Sequence, residues 1–314
     1  MKIKILIVSA LLLTFLSSCK DCQAKKTSNP AHVKQLLAIK KCPKCDLGGA
    51  DLTNADLAGA DLREAELSNA KLDRANLQGA DLTKAELRWR DDVGDKGKMG
   101  ISEIGDDYCN VNYEASLKRA NLKGAKLIQT DLSGLDLSEA NLSDADLTNA
   151  KLNSAKLNKV NLEEANLNSA SLESAELYDT NLKKANLQGA NLSFSKLGDA
   201  NLKEPNLTNT NLEHSSLLGA NLQETQLINA NLQGAQLSGY LIDTNLSGAN
   251  LSSASLTSLN LQKVIYDSHT NWRRASYNEL TQFPNRFNSL KKQMEFEKLF
   301  IDKVNLKEKN QVKH

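Results

Sequence analysis

Leucine recurs at every fifth residue over most of this 314-residue chain: from 47 to 87, from 117 to 237 and, one residue out of phase, from 241 to 261. A helix turns by about 100° per residue, so a step of five would scatter these leucines around its circumference. A flat strand alternates its side chains, so an odd step would send successive leucines to opposite faces. The pattern therefore predicts a backbone that turns after each five-residue unit and winds as a solenoid around a leucine core.

The repeated unit reads A-(D/N)-L-x-x, and the residue two before each leucine is nearly always small, as at Ala140, Ala145 and Ala150. In a narrow tube, a large leucine at one inward position leaves room only for a small residue at the other. The three remaining positions are polar, as outward positions should be. Burial of each leucine is worth roughly 1.5 to 3 kcal/mol, which predicts a continuous core although aromatic residues make up only 4% of the chain.

The residues just before the leucines indicate how many units form one coil. Two series at steps of twenty stand out: Asn121, Asn141, Asn161, Asn181, Asn201 and Asn221, and then Asp136, Lys156, Glu176 and Lys196. Coils stacked about 4.8 Å apart would turn the first series into an asparagine ladder. The second series would become a column of opposite charges. Both series favour four units per coil.

Tandem A(D/N)LXX arrays of this kind resemble the pentapeptide-repeat family, and the resemblance covers about two thirds of the chain. It implies an all-β solenoid, a right-handed quadrilateral β-helix with four pentapeptide repeats per coil, and we expect short helical caps at both ends. Roughly ten coils would form a rod on the order of 45 Å long. Members of the family differ widely in what they do, so the fold alone leaves the function open.

The first twenty residues, MKIKILIVSALLLTFLSSCK, contain two lysines and an apolar run of about a dozen residues. This run is short for a membrane span and has the proportions of a signal peptide. The segment LSSC resembles a bacterial lipobox, which would make Cys19 the lipidated residue and the membrane a partner. A plain secretory signal or an uncleaved anchor is the alternative. We expect a lipid-anchored protein of the cell envelope, and Lys20 directly after the cysteine favours an outer-membrane or periplasm-facing position in a Gram-negative cell.

Asn29 and Pro30 precede the segment AHVKQLLAIKK, in which Val33 and Leu36 are spaced as on one face of a helix. Asparagine is a good N-cap, and proline is favoured at the first helical position. Terminal units of a solenoid need caps. We therefore expect a short amphipathic helix at the open N-terminal end.

Cys42-Pro43-Lys44-Cys45 lies directly before the first repeat, without the βαβ pattern of a thioredoxin-like redox motif. The lead-in LLAIKKCPKCDLGGADL resembles that of many bacterial pentapeptide-repeat proteins, and in an exported chain a disulfide between Cys42 and Cys45 is expected. Unpaired or differently paired structural cysteines, or metal or redox chemistry, are the alternatives. Cys22 and Cys109 remain, either paired with each other or free.

The repeat stops between residues 88 and 114, in a segment richer in glycine and acids that contains Trp89, Tyr108 and Tyr113. The leucines on either side are thirty residues apart, a multiple of five, so the solenoid is expected to resume in register. The acids do not follow the spacing of a calcium-binding loop. The segment is either a solvated loop or, because aromatic residues favour interfaces, a partner-binding loop.

The four histidines are widely separated, and no nucleophile or acid stands at catalytic spacing to them. Phosphate-loop and metal-binding motifs are also missing from the sequence. We therefore predict no catalytic residue, no metal site, no cofactor and no enzymatic activity.

After the repeats, VIYDSHTNW resembles the exit segment of pentapeptide arrays. Farther on, Phe287, Leu290, Met294 and Ile301 suggest an amphipathic helix. We expect this helix to cap the rod, with formation of a homodimer as the alternative. The predicted segments are a signal peptide (1–18), a tether (19–29), an N-terminal cap with the CPKC motif (30–45), repeats (46–87), an inserted loop (88–114), repeats (115–267) and a C-terminal helical cap or tail (268–314).

Charge bears on two classes of function. The two repeat segments carry 25 acids against 16 bases, a net charge of −9, whereas the tail from residue 268 carries 10 bases against 5 acids. We expect a non-enzymatic, lipid-anchored scaffold or protein-binding rod with an unidentified protein partner. The alternative is a DNA mimic that protects a type II topoisomerase, which would need dense negative charge. Lysines such as Lys151 and Lys183 interrupt the acids, so a nucleic-acid-related role is not expected.

Overall fold

The computed structural model describes residues 28–88, 115–284, 287 and 294–296. They contain one helix, α1 (Pro30–Ile39), and four two-residue strands, β1 (Ser216–Leu217), β2 (Gln236–Leu237), β3 (Ser276–Tyr277) and β4 (Glu295–Phe296). β1 pairs with β2 and β3 with β4, both in parallel. Elsewhere the ladder consists of isolated parallel bridges. The strands are short because the backbone turns again after each leucine.

The repeating element is a coil of twenty residues, which confirms the expectation of four repeats per coil. Parallel bridges join Asn141 to Asn161, Asn161 to Asn181 and so on up the rod. The leucines of the described repeats are buried from Leu47 to Leu261, most of the small residues two before them are buried as well, and together they form one continuous core. The result is a four-sided β-solenoid. Its right-handed sense stays a prediction from the family resemblance.

Each side of the solenoid ends in a tight turn that begins at the leucine. The leucine carbonyl accepts a hydrogen bond from the residue three positions on, as Leu62 does from the N–H of Ala65 at 3.0 Å. The third turn residue has a positive φ, which is the geometry of a type II turn. Glu64, for example, has φ 54°, and its N–H donates to the carbonyl of Thr83 in the next coil at 3.0 Å. Turns and coils therefore share one hydrogen-bond network.

The inserted segment leaves the solenoid at a corner and does not change its register. The N–H of Ala115 donates to the carbonyl of Leu87 at 2.9 Å, which is the bond that closes an ordinary turn. Lys71 bridges Ser116, 45 residues away instead of 20. The chain therefore has 25 extra residues at this point, and the ladder keeps its register. The expected resumption in register is confirmed.

The change of phase near residue 240 is a one-residue shortening of a coil. Asn221 bridges Tyr240, nineteen residues on. The shortened corner contains Gly239 at φ 108°, where a Cβ atom would lie 2.4 Å from the carbonyl oxygen of Ala220. Only glycine fits such a close approach without strain.

The end of the rod differs from the prediction. The ladder continues beyond residue 267, with bridges from Asn250 to Asn271 and from Asn260 to Gln282. Glu295 and Phe296 lie in β4 against β3, so the helix predicted through this stretch is wrong there. An amphipathic sequence pattern was overridden by pairing with an available ladder edge. Residues Leu290 and Ile301 lie outside the described residues.

Aromatic side chains cover the core near the C-terminal end. Trp272 and Phe287 are fully buried, and their rings meet edge to face with centroids 5.1 Å apart. Tyr266 packs edge to face against both rings, and Phe283 stacks on Phe287 at 4.8 Å. These large rings replace the leucine and alanine of the regular coils where the stack ends.

At the N-terminal end, α1 begins after Asn29, whose side chain accepts a hydrogen bond from the N–H of Ala31, with proline at the first helical turn as predicted. The structure contains a disulfide bond between Cys42 and Cys45. Cys42 occupies a leucine position and Cys45 the following alanine position, and both are buried. The disulfide thus takes the place of the inward-facing pair of one repeat.

Candidate functional site

Many charged side chains on the described rod are paired between neighbouring coils. Arg119 and Glu139 form a bidentate pair at 2.9 and 3.1 Å. The pair raises the pKa of Arg119 and lowers the pKa of Glu139, which favours the charged form of both. Lys196 contacts Glu176 at 3.2 Å, in the predicted column of opposite charges. Such exposed pairs contribute little to stability individually. Their main effect is to break the acidic surface into neutral pairs.

The predicted asparagine ladder is present, and its amides are used within the ladder. The side-chain nitrogen of Asn201 donates to the side-chain oxygen of Asn181 at 3.0 Å. The same oxygen of Asn181 accepts the N–H of Lys183 at 3.2 Å. An amide whose oxygen already accepts two bonds has little capacity left for a ligand. The ladder is therefore a structural feature of the rod.

Apolar side chains occupy outward positions in one part of the rod, where the repeat calls for polar residues. Tyr240 is 63% exposed, and the others are also exposed. We refer to four residues as the apolar patch: Tyr178, Phe194, Leu218 and Tyr240. Ile242 is also exposed, but it lies at another corner of the solenoid. Single exposed apolar residues are ordinary, whereas a group within neighbouring coils is typical of an interaction surface.

Tyr178 and Leu218 lie on one edge of the solenoid, with Gly198 between them in the intervening coil. A Cβ atom at Gly198 would lie 2.9 Å from the ring of Tyr178. The missing side chain at Gly198 therefore lets the tyrosine ring lie flat along the edge. Ser238 continues this edge, since its hydroxyl accepts the N–H of Gly219 at 2.8 Å. Tyr240 follows two residues later.

Phe194 lies on the neighbouring edge and stacks on His214 of the next coil. The ring centroids are 5.4 Å apart and the planes are inclined by 21°. A Cβ atom at Gly234, one coil farther, would lie 2.4 Å from Nδ1 of His214. The two edges flank one face of the rod, which carries Lys196 and, beyond it, β1 and β2.

From Tyr240 toward the C-terminal end of the repeats the sequence is almost free of charge, whereas Tyr178 and Phe194 lie near the Lys196–Glu176 pair. Between residues 225 and 262, Asp243 is the single charged residue, and the outward positions are mostly asparagine, glutamine, serine and glycine. Depletion of charge together with exposed tyrosine is typical of the centre of a protein interface. A surface of tyrosine, serine, glycine and asparagine is also the composition of antibody paratopes.

The apolar patch was not predicted from the sequence, although a signal for it exists. Tyr178 and His214 are each followed, twenty residues later, by a glycine. Once the coil length is known, that spacing indicates an outward ring lying over a bare backbone position. Without the coil length, the same residues look like random substitutions in the repeat.

The other predicted site residues divide into two groups. Cys19, Trp89, Tyr108 and Tyr113 lie outside the described residues, so lipidation and the partner-binding loop stay predictions. Cys42 and Cys45 form the buried disulfide described above. Within the described ranges, histidine, cysteine and acidic side chains do not gather in groups of three or more that could hold a metal ion. Those ranges also contain no helix that is long and apolar enough to cross a bilayer.

The coil of four leucine-centred repeats defines the class of pentapeptide-repeat solenoids. The profile of the pentapeptide-repeat family matches in eight copies, over residues 50–88, 115–153, 145–183, 185–204, 206–239 and 240–265. These ranges cover more than half of the chain. The chain therefore belongs to the pentapeptide-repeat family.

Solved structures of the same family resemble the chain to different extents. HetL, a regulator of heterocyst differentiation from the cyanobacterium Nostoc sp. strain PCC 7120, is 27% identical, over 75% of this chain and 88% of HetL, with a TM-score of 0.41. A trypsin-treated form of QnrB1, a plasmid-mediated fluoroquinolone resistance protein, is 12% identical, over 61% of this chain and 96% of that one, with a TM-score of 0.36. A comparison with curated protein sequences finds no match.

Proposed function

We propose that this protein is a non-enzymatic binding rod, anchored to a membrane of the cell envelope by a lipid on Cys19, and that the apolar patch binds a protein partner. The observation that carries the binding role is the grouping of four exposed apolar residues, the last of which lies in a stretch with one charge in 38 residues. A solenoid of polar repeats does not need these residues for its own stability. Exposed apolar residues lower the solubility of a protein, so we infer that a partner covers them.

The chemistry of the patch indicates what the partner offers. The nearly uncharged stretch around Tyr240 cannot compensate a buried charge on the other side, so a strongly charged partner would bind there poorly. Tyrosine and phenylalanine supply large contact area at a low cost in side-chain entropy. The patch therefore fits a protein surface with an apolar centre and few charges.

In-cell photo-crosslinking tests the binding role. A photoreactive phenylalanine analogue at Tyr240 or Leu218 should give a discrete crosslinked product in intact cells. The same analogue at Gln188, an exposed residue on the opposite edge of the rod, is the matched control. Identical crosslinking at all three positions would mean that the patch has no preference for a partner.

Labelling with radioactive palmitate tests the anchor. Label and membrane association should both disappear in the Cys19→Ala variant. A wild-type protein that is unlabelled and found in the cytoplasm would refute the lipid anchor, and it would place the chain where a topoisomerase could be reached.

Topoisomerase protection by DNA mimicry is the alternative function. A mimic needs a dense line of negative charge, whereas several acids on the described rod face bases one coil away, as in the Lys183–Glu163 and Lys184–Glu164 pairs. A supercoiling assay with gyrase and a quinolone tests this alternative directly. Protection by the purified chain would favour it over the binding rod.

A further inference from the structure

Helix α1 buries very little of its apolar surface against the solenoid. Leu36 is its single buried residue. Leu37 is 52% exposed and Ile39 is 60% exposed. A helix that only covered the end of the core would place such residues inward. Val33 is partly buried against the core, so the solenoid leaves uncovered the face of α1 that carries Leu37, which is its outer face. Ile39, two positions on, lies on a different face of the helix.

The outer face forms a shallow, mostly apolar groove along one side of the helix. It is lined by Pro30, Val33, Lys34, Leu37 and Ala38, together with Ser28. These helix positions follow the i, i+3, i+4, i+7 spacing of one helical face. The groove carries a lysine and no acid.

The charge of the surrounding chain matches one kind of surface. Residues 19–44 contain seven lysines and one acid, a net charge of +6, whereas the two repeat segments carry −9. Two of these lysines, Lys40 and Lys44, pair with Asp56 and Glu64 of the rod. Clusters of lysine beside an exposed apolar helix face attract anionic lipid head groups close to the surface. The acidic repeats would be repelled from the same surface.

The position of α1 in the chain brings it to that surface. Ten residues connect Cys19 to Asn29, and a fully extended stretch of this length spans at most about 35 Å. If Cys19 carries the lipid, as proposed above, α1 is always within reach of the bilayer. The apolar groove would then be at a high local concentration relative to lipid.

We propose that the outer face of α1 lies on the surface of an anionic phospholipid bilayer, with Leu37 in the boundary between head groups and acyl chains and Lys34 at the phosphates. This inference rests on the proposed lipid anchor for its local concentration, but the contact itself is made by α1. Docking in this way fixes the N-terminal end of the rod to the membrane.

Amide hydrogen exchange on the full lipidated protein tests the contact. The protein is reconstituted in vesicles of phosphatidylcholine alone or of phosphatidylcholine and phosphatidylglycerol in equal parts. We expect the amides of α1 to exchange roughly tenfold more slowly in the anionic vesicles, given the lysine attraction stated above. Amides of coils from Asn141 to Asn221 serve as the internal reference for folding.

A double variant and a control separate docking from anchoring. Lys34→Glu with Leu37→Ser should abolish the slowing while co-flotation with vesicles, which depends on the lipid, is kept. Leu218→Ser, which removes an equally exposed leucine from the apolar patch, should leave the slowing unchanged. Co-flotation of the wild type without slowing on anionic vesicles would overturn the inference and leave the anchor standing.

Failure of the anchor gives a different result. If Cys19 carries no lipid, the wild type should not float with vesicles of phosphatidylcholine alone. Slower exchange of α1 in the presence of anionic vesicles would still support the inference in that case, and unchanged exchange would refute it.

Discussion

Pro205 removes a hydrogen-bond donor from the core, and Thr225 in the next coil replaces it. In an ordinary turn the leucine carbonyl accepts the N–H of the residue three positions on, but proline has no N–H. The carbonyl of Leu202 instead accepts the hydroxyl of Thr225 at 2.6 Å, and no other donor to it is found among the described residues. Thr225 is fully buried. We therefore expect Thr225→Val to leave this buried carbonyl without a partner.

Thr210 is a matched control at an equivalent buried position. Its hydroxyl donates to the carbonyl of Leu187 at 3.0 Å, but that carbonyl also accepts the N–H of Ala190 at 2.9 Å. An unsatisfied buried acceptor costs about 1 to 3 kcal/mol, whereas loss of one of two bonds costs about 1 kcal/mol or less. Thr225→Val should therefore lower the free energy of unfolding by about 2 kcal/mol, and Thr210→Val by less than half as much.

A double-mutant cycle with Pro205→Ala isolates the effect. Alanine restores the N–H in the turn, so in that background Thr225→Val should cost no more than Thr210→Val, with a coupling energy of about 1 kcal/mol. Equilibrium urea denaturation followed by circular dichroism measures the four proteins of the cycle and the Thr210→Val controls, provided the slope with denaturant stays constant. Equal costs for the two threonine variants, with no coupling to Pro205, would refute the reasoning.

Three further predictions concern the core, an acid-sensitive turn and the disulfide. Leu167→Lys places a charge in the core and should cost about 4 kcal/mol or more, whereas Asn168→Lys at an outward position should be close to neutral; equal melting temperatures would contradict the inward and outward assignment. The pKa of Asp267 is lowered to about 2, chiefly by the N–H of Gly248. The unfolded-state pKa is about 3.9, so the stability from this carboxylate is present above that pH and is lost as the pH falls through about 2. Asp267→Asn should reduce the loss of melting temperature at acid pH, and an unchanged loss would exclude Asp267 as its cause. The double variant Cys42→Leu, Cys45→Ala restores a standard repeat without a disulfide. A reductant should therefore destabilise the parent by roughly 2 kcal/mol and leave the variant unchanged. Denaturation with and without reductant measures both effects.

The leucine period and the twenty-residue asparagine spacing were sufficient to predict the core and the coil. Both follow from steric rules that act within a few residues, and every coil repeats the same pattern of residues. Resumption in register after the insertion was predictable for the same reason. The bridge from Lys71 to Ser116 confirms it.

Features that depend on a single coil were harder to predict. The stack of Phe194 on His214 and the bond from Thr225 to Leu202 join residues about twenty positions apart, and they become visible only when the coil is known. The strand at Glu295–Phe296 depends on the free edge left by β3. Apolar spacing along the sequence cannot report such an edge, and so it indicated a helix.

The stack of coils fixes how far the apolar patch is held from the N-terminal end. Along one face, eight successive bridges lead from Asp56 to Tyr240, which corresponds to roughly 40 Å at 4.8 Å per coil. The insertion at the corner adds 25 residues and no height. Each coil of twenty residues therefore adds one fixed step to the distance between α1 and the apolar patch. Removing one coil would bring Tyr240 closer to α1 by about 4.8 Å and leave both ends as they are.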